Sequence, residues 1–467
     1  MVKRIVILMV LLPAALLLPL VPAYAAAPLD DIVAASALLA EADSGTILFQ
    51  HDMTRQHPAD GLAKIMTLLL AVSAIQNAEV LPGELIEMTE SAWFDIDDKN
   101  TTQKIKPGEE MRLIDLMYCA YVGGADEACN MIAERIDGSV EAFVERMNVQ
   151  AAQLGCDGTN FINTHGKYSD SQYTTARDQY FIFRDAMGKE LFAEIAGTYR
   201  HTVEATNMSD ARTMTSPNSL LNLNGKYYFR HCTGGMTSGT YEGGHSFVSF
   251  AEADGLSLIS VVLGSDIIIL EDESTEMRHL TESRRLFEWG FSGFSWRTIL
   301  AKSDLVDKAP IMHGAGADFV NLCPQSEIRL LLDNDIKDEE FIRVVTIYSL
   351  EDGEDLIAPI SAGKVLGEVT VTRYDPDTNV TTIYGTALLV ANTSVELHKM
   401  EFVRIQVIAV LSSSTARTIM AALTVLIVLY LALVIRYNLI RRKRLKRIAE
   451  AKRRLIEERQ APGSEDA

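Results

Sequence analysis

Ala35-Ser36-Ala37-Leu38-Leu39-Ala40-Glu41 and Thr46-Ile47-Leu48-Phe49-Gln50, joined through Asp43-Ser44-Gly45, read as two strands and a tight turn. Directly after them the period changes. Leu62, Ile65, Met66, Leu69, Leu70 and Ser73 recur at helical spacing and predict a helix with a buried stripe. Met111 to Ala120 and Asp126 to Ile136 predict two amphipathic helices around the Gly123-Gly124 break, and Val140 to Leu154 predicts another. Strand signals return at Tyr227 to Cys232, His245 to Ala251 and Leu256 to Gly264, the last rich in β-branched residues, and Glu276 to Gly290 predicts a closing helix. Strands, a helical block, then strands and a helix predict an α/β sandwich over residues 26–300, with helices covering an antiparallel sheet. Residues 305–405 carry strand signals alone, including Arg343 to Ser349, Val365 to Arg373 and Val380 to Val390, and predict a smaller all-β domain.

The ends have other functions. Lys3 and Arg4, the apolar run Ile5 to Leu20 and the small-residue exit Ala23-Tyr24-Ala25 predict a secretory signal over residues 1–25. Thr418 to Ile435 is uncharged and long enough to cross a hydrocarbon core of about 30 Å, which predicts one transmembrane helix over residues 418–435. Arg441, Arg442, Lys443, Arg444, Lys446 and Arg447 follow it, and basic residues beside a span favour the cytoplasmic side. The expectation is a single-pass protein of the cell membrane with its body extracytoplasmic and residues 436–467 as a cytoplasmic tail.

Residues 26–414 hold 29 Lys and Arg against 58 Asp and Glu, so nucleic acid, which needs a basic surface, is excluded as a partner. The five cysteines lack metal-ligand spacing and are too scattered for a disulfide scaffold, although an oxidising compartment would permit one Cys119–Cys129 bridge. Neither a metal nor an organic cofactor is implied.

The helical block carries Ile105-Lys106-Pro107-Gly108-Glu109, Thr164-His165-Gly166 and Tyr173-Thr174-Thr175-Ala176-Arg177-Asp178. With Lys64-Ile65-Met66-Thr67 before them and Phe287-Glu288-Trp289-Gly290-Phe291 after, the chain resembles the serine D-alanyl-D-alanine carboxypeptidases, the low-molecular-mass penicillin-binding proteins. Ala358-Pro359-Ile360 and Gly363-Lys364-Val365-Leu366-Gly367 are similar to the domain that lifts those enzymes from the membrane. The resemblance spans residues 33–405 and implies a penicillin-binding-protein/β-lactamase-like sandwich. It also implies peptidoglycan as the setting, with a stem peptide or an envelope protein as partner.

Such an enzyme needs a serine at the start of a buried helix and a lysine one turn on to take its proton. It also needs a Ser-x-Asn loop, a Lys-Thr-Gly strand that binds the terminal carboxylate, and two N–H groups for the oxyanion. Lys64 stands in the expected helix, but Gly61 occupies the nucleophile position. The Ser-x-Asn equivalent reads Gly123-Gly124-Ala125, with Gly123 and Ala125 at its functional positions. The strand motif falls at Cys232-Thr233-Gly234-Gly235-Met236-Thr237, where Thr233, Gly235 and Thr237 are the substrate-binding candidates and no register supplies a lysine. Lys64 reads either as a surviving base or, because Asp60 precedes it by four residues, as a paired structural cation. The residues favour the second.

Other residues mimic function. Ser361-Ala362-Gly363-Lys364 is a literal Ser-x-x-Lys, but it sits in a strand-turn and reads as a decoy; Ser216-Pro217-Asn218 reads as a structural approach to the strand. His165 reads as a loop histidine rather than a base. Cys232 beside His231 is a weak thiol candidate, while Arg230, two residues from Cys232 and so on its strand face, is a candidate replacement cation. The expectation is a membrane-anchored carboxypeptidase homologue that binds or scaffolds without catalysis. The alternatives are an active D,D-carboxypeptidase and an envelope protein-interaction module.

Overall fold

The computed structural model describes residues 32–93, 95–96, 102–240, 243–269, 275–376 and 379–459. The expected signal segment lies outside the described residues. The chain divides into two compact units, one running up to Thr298 and joined by Arg329–Glu340, the other formed by Ile299–Ile328 and the chain from Phe341 onward.

In the first unit, strands β1 (Ser36–Glu41), β2 (Ile47–His51), β3 (Cys232–Thr240), β4 (Gly244–Ala253) and β5 (Leu256–Ser265) form an antiparallel sheet in the order β2-β1-β5-β4-β3. Both faces of this sheet are buried, which explains why β5 carries apolar residues on both of its faces. Leu38, Ala40, Val248, Ile259, Val261 and Leu263 face a helical block. Ala37, Leu39, Phe247, Ala251, Leu258 and Val262 face the closing helix through Leu280, Leu286 and Phe287. Successive strand side chains point to opposite faces, so each strand contributes to both cores.

The block contains helices α1 (Ala63–Gln76), α2 (Leu113–Tyr121), α3 (Asp126–Asp137), α4 (Val140–Gln153), α5 (Ala176–Met187) and α6 (Glu190–Ala196), and α7 (Arg278–Gly293) covers the other sheet face. Helix α1 is broader in its burial than its stripe suggested, with even Thr67 and Ala71 inaccessible. It runs through the centre of the block, touching α2, α3, α5 and α6.

One expected strand is absent. Tyr227–Cys232 forms turns closed by Tyr228 N–H to the Gly225 carbonyl (3.2 Å) and Cys232 N–H to the Phe229 carbonyl (3.0 Å). The apolar character there reflects Phe229 stacked on Phe287 at 5.9 Å, not a ladder, and the strand starts only at Cys232. The five cysteines are free, and burial pushes the Cys119 and Cys129 thiols up to about 12.

The second unit contains a five-stranded antiparallel sheet in the order Asp307–Pro310, Phe319–Pro324, Val380–Ala391, Val365–Asp375 and Phe341–Ile347. The region is not wholly β: Tyr348–Glu351 forms a helical turn, and Lys399–Ser412 is a helix that begins inside the span read as strands. Ser414–Arg459 is a single helix containing one segment long and apolar enough to cross a membrane.

Candidate functional site

A groove of about 1050 Å³ is lined by Gly61 just before α1, Lys64 in its first turn, Gly124 ahead of α3, Asp126 at its start, the loop residues His165 and Gly166, and the stretch from Gly235 to Thr240 of β3.

Lys64 projects from the first turn of α1 and is 5% exposed. Its Nζ lies 2.7 Å from Asp126 Oδ1 and donates to the His165 carbonyl at 2.5 Å. Burial by itself lowers the pKa of an ammonium, but the Asp126 carboxylate, aided by the surrounding acids, more than offsets this and holds Lys64 above its ordinary value. A general base must be able to lose its proton, and the carboxylate beside this lysine favours its charged form. Asp60 is not its partner. Helix α1 starts at Ala63, and Asp60 lies in a 3₁₀ turn with φ of 43°, so the four-residue helical spacing does not apply. The Asp60 carboxylate instead accepts from the Thr240 hydroxyl at 3.0 Å.

Gly61 lies beside this ammonium. Its N–H donates to the Ser238 hydroxyl of β3 at 2.8 Å. A Cβ built on Gly61 would sit 3.1 Å from Ser238 Oγ and 3.9 Å from Lys64 Nζ. A hydroxyl from the opposite wall thus occupies the place beside Gly61, and it is engaged as an acceptor there.

The loop register differs by one residue from the sequence reading. Gly124 and Asp126 line the groove, whereas Ala125 is fully buried and Gly123 is packed so tightly that an added Cβ would meet the Cys119 carbonyl at 2.8 Å. Gly124, with φ of 70°, turns the chain so that Asp126, the first residue of α3, faces Lys64.

On β3, Gly235 and Thr237 line the groove and Thr233 does not. The pairing of β3 with β4 slips between Gly234↔Phe250 and Cys232↔Ala251, which leaves Thr233 as an unpaired, exposed bulge residue. Arg230 is likewise outside the groove, exposed and donating to His231 Nε2 at 2.7 Å. Its same-face argument fails because Arg230 precedes the strand. The Cys232 thiol faces the core, and burial pushes its pKa up to about 11.

Ser216 lines the groove, but the Asn218 side chain accepts from the Leu220 N–H at 3.1 Å and caps a short turn. Ser361 and Lys364 close a turn of the second unit. The His165 ring is 2% exposed, and burial lowers its pKa to about 4, so at neutral pH it carries no charge. Ser238 and Asp126 are two groove residues whose contacts sequence reasoning missed. Neither has a local signal, because each acquires its meaning only from the residue opposite.

Gly166 holds the loop in place. With φ of 96°, its Cα packs so closely that an added Cβ would meet the Asp60 carbonyl oxygen at 1.9 Å. Only glycine permits both the left-handed backbone and that approach. Gly166→Ala is expected to destabilise the protein by at least about 2 kcal/mol, measured by denaturant unfolding, because strain and overpacking act together.

The family profile described as D-alanyl-D-alanine carboxypeptidase matches residues 23–267. The chain is 26% identical over 348 residues to the D-alanyl-D-alanine carboxypeptidase DacC of Escherichia coli, covering 71% of this chain and 78% of that protein. It is 27% identical over 357 residues to DacA of Haemophilus influenzae, covering 73% and 81%. Among solved structures, penicillin binding protein 5 from Haemophilus influenzae superposes with a TM-score of 0.59 at 23% identity, covering 80% of this chain and all of that one. Penicillin binding protein 3 from Streptococcus pneumoniae gives 0.56 at 22% identity, covering 78% and 99%. The profile spans more than half of the chain, including the sheet, the helical block and the groove, and the protein therefore belongs to the D-alanyl-D-alanine carboxypeptidase family of penicillin-binding proteins.

Proposed function

We propose that this protein is a membrane-anchored, extracytoplasmic member of its family that binds peptidoglycan stem peptides without hydrolysing them. The observation that carries this reading is the state of Lys64. Gly61 provides no hydroxyl for acylation, and the ammonium that would take a proton is neutralised by Asp126 and bonded to the His165 carbonyl. An acyl-enzyme needs a nucleophile and an adjacent base; both requirements fail at one point. Fold, groove and edge strand remain, so a peptide retains a place to lie along β3. In this reading Met236-Thr237-Ser238, with Ser238 opposite Gly61, is the counterpart of Lys-Thr-Gly, without the cation. In this reading the apolar part of Ser414–Arg459 crosses the membrane once, and the basic stretch from Arg441 lies in the cytoplasm.

The Ser238 hydroxyl favours one second reading, in which it is the acylated group of a working carboxypeptidase. Incubation of the full chain with a fluorescent penicillin, followed by a denaturing gel, separates the two. No covalent label is expected. A label that disappears in Ser238→Ala would establish the second reading. Gly61→Ser alone is expected to remain unlabelled, because its new side chain meets Ser238 Oγ and Lys64 stays ion-paired.

A further inference from the structure

The groove's chemistry specifies the end of the peptide it takes. Among the described residues that line it, the lysines are Lys64 and Lys167, and each is ion-paired, Lys64 with Asp126 at the floor and Lys167 with Asp95 at the exposed mouth. A peptide carboxylate reaching the floor therefore meets a cation already satisfied by a carboxylate 2.7 Å away. Like charges brought together out of water repel strongly. The wall opposite holds Met236, Thr237 and Ser238, which are uncharged.

The neutral groups that wall offers are the Thr237 and Ser238 hydroxyls. An amide both donates and accepts, and it matches a hydroxyl without adding charge. A carboxylate only accepts.

We infer that the groove selects stem peptides whose terminal carbonyl is an amide, either amidated or continued into a cross-link, over stem peptides that end in a free D-alanine carboxylate. This rests on the reading of the groove as a stem-peptide site. It inverts the preference expected of a Lys-Thr-Gly enzyme, and the cause is the Lys64–Asp126 pair together with the missing strand cation. A charged hydrogen bond to a terminal carboxylate is worth about one to two powers of ten in affinity, so its loss and the added anion are large enough to reverse the order.

Calorimetric titration of the full chain in detergent micelles tests this with three ligands: acetyl-Lys-D-Ala-D-Ala as the free acid, its primary carboxamide, and the same peptide extended by one amide-linked residue. At least one neutral ligand is expected to bind about tenfold or more tighter than the acid, and the one favoured identifies the amidated or the cross-linked source. Asp126→Asn, which keeps the shape and removes the anion, is expected to narrow that gap by improving binding of the acid. Equal or tighter binding of the acid by the unaltered protein overturns the inference and leaves the stem-peptide reading standing. Binding of none of the three overturns both. An unchanged gap in a folded Asp126→Asn protein also overturns the inference, because the electrostatic cause is then wrong.

Discussion

Asp126→Ala is expected to lower the stability of the first unit by about 3 to 5 kcal/mol, because it leaves the Lys64 ammonium buried without its counter-charge. A calorimetric scan should register this as a fall in Tm of roughly 10 °C. The His165 carbonyl remains as a partner for Nζ, but one carbonyl dipole does not replace a carboxylate at 2.7 Å. The paired change Lys64→Met with Asp126→Leu should recover most of the loss, since replacing both members of a buried ion pair with apolar groups of similar size is often nearly neutral. A melt of Asp126→Ala that superposes on the unaltered protein would show that Lys64 is not held by this contact. The claim that Lys64 cannot serve as a base would then lose its support.

Acid should unfold the same unit early. Burial is the leading cause that lowers His165 and His279 to about 4, with the Lys64 charge adding to the shift at His165 and the His245 ring at His279. In the unfolded chain both titrate near the ordinary value of about 6.5. Their folded pKa values are depressed, so stability is complete above pH of about 6.5. Below that the unfolded state takes up protons that the folded state refuses. The loss grows as pH falls toward about 4 and reaches at most about 3 kcal/mol for each ring. His279→Gln should remove its share of this slope, so the gap between melting temperatures at pH 7 and pH 4.5 narrows in the variant. An equal gap in both proteins would mean that His279 takes up its proton without unfolding. His279 stacks on His245 with centroids 5.3 Å apart, and two charged rings at that separation would repel.

Much of the fold was legible because its signals are local. The hairpin of β1 and β2 announces itself through alternation and a left-handed glycine, Gly45 with φ of 77°. Helices α1 to α4 and strands β4 and β5 begin and end within a few residues of their periodic runs. Local patterns also misled where burial imitates a strand, as at Phe229, and where an apolar run leads into the long C-terminal helix, as at Lys399–Ser412. At the site, Lys64 was readable because it opens a helix whose apolar spacing is regular, and both Gly61 and Lys64 line the groove. Thr233 was misplaced because a bulge shifts the face of β3, and a bulge is a property of two paired strands.

By itself the amino-acid sequence determined most of the order of strands and helices and the apolar helix near the C-terminus. These follow from what is periodic along the chain. Tertiary structure alone decided that Lys64 pairs with Asp126 instead of Asp60, that Gly124 rather than Gly123 faces the groove, and that Ser238 fills the space beside Gly61. Each of those is a contact between residues far apart in the chain or a turn of a few tens of degrees in the backbone. Spacing along a sequence does not encode a distance across a groove; that distance is set by the packing of the helical block against the sheet.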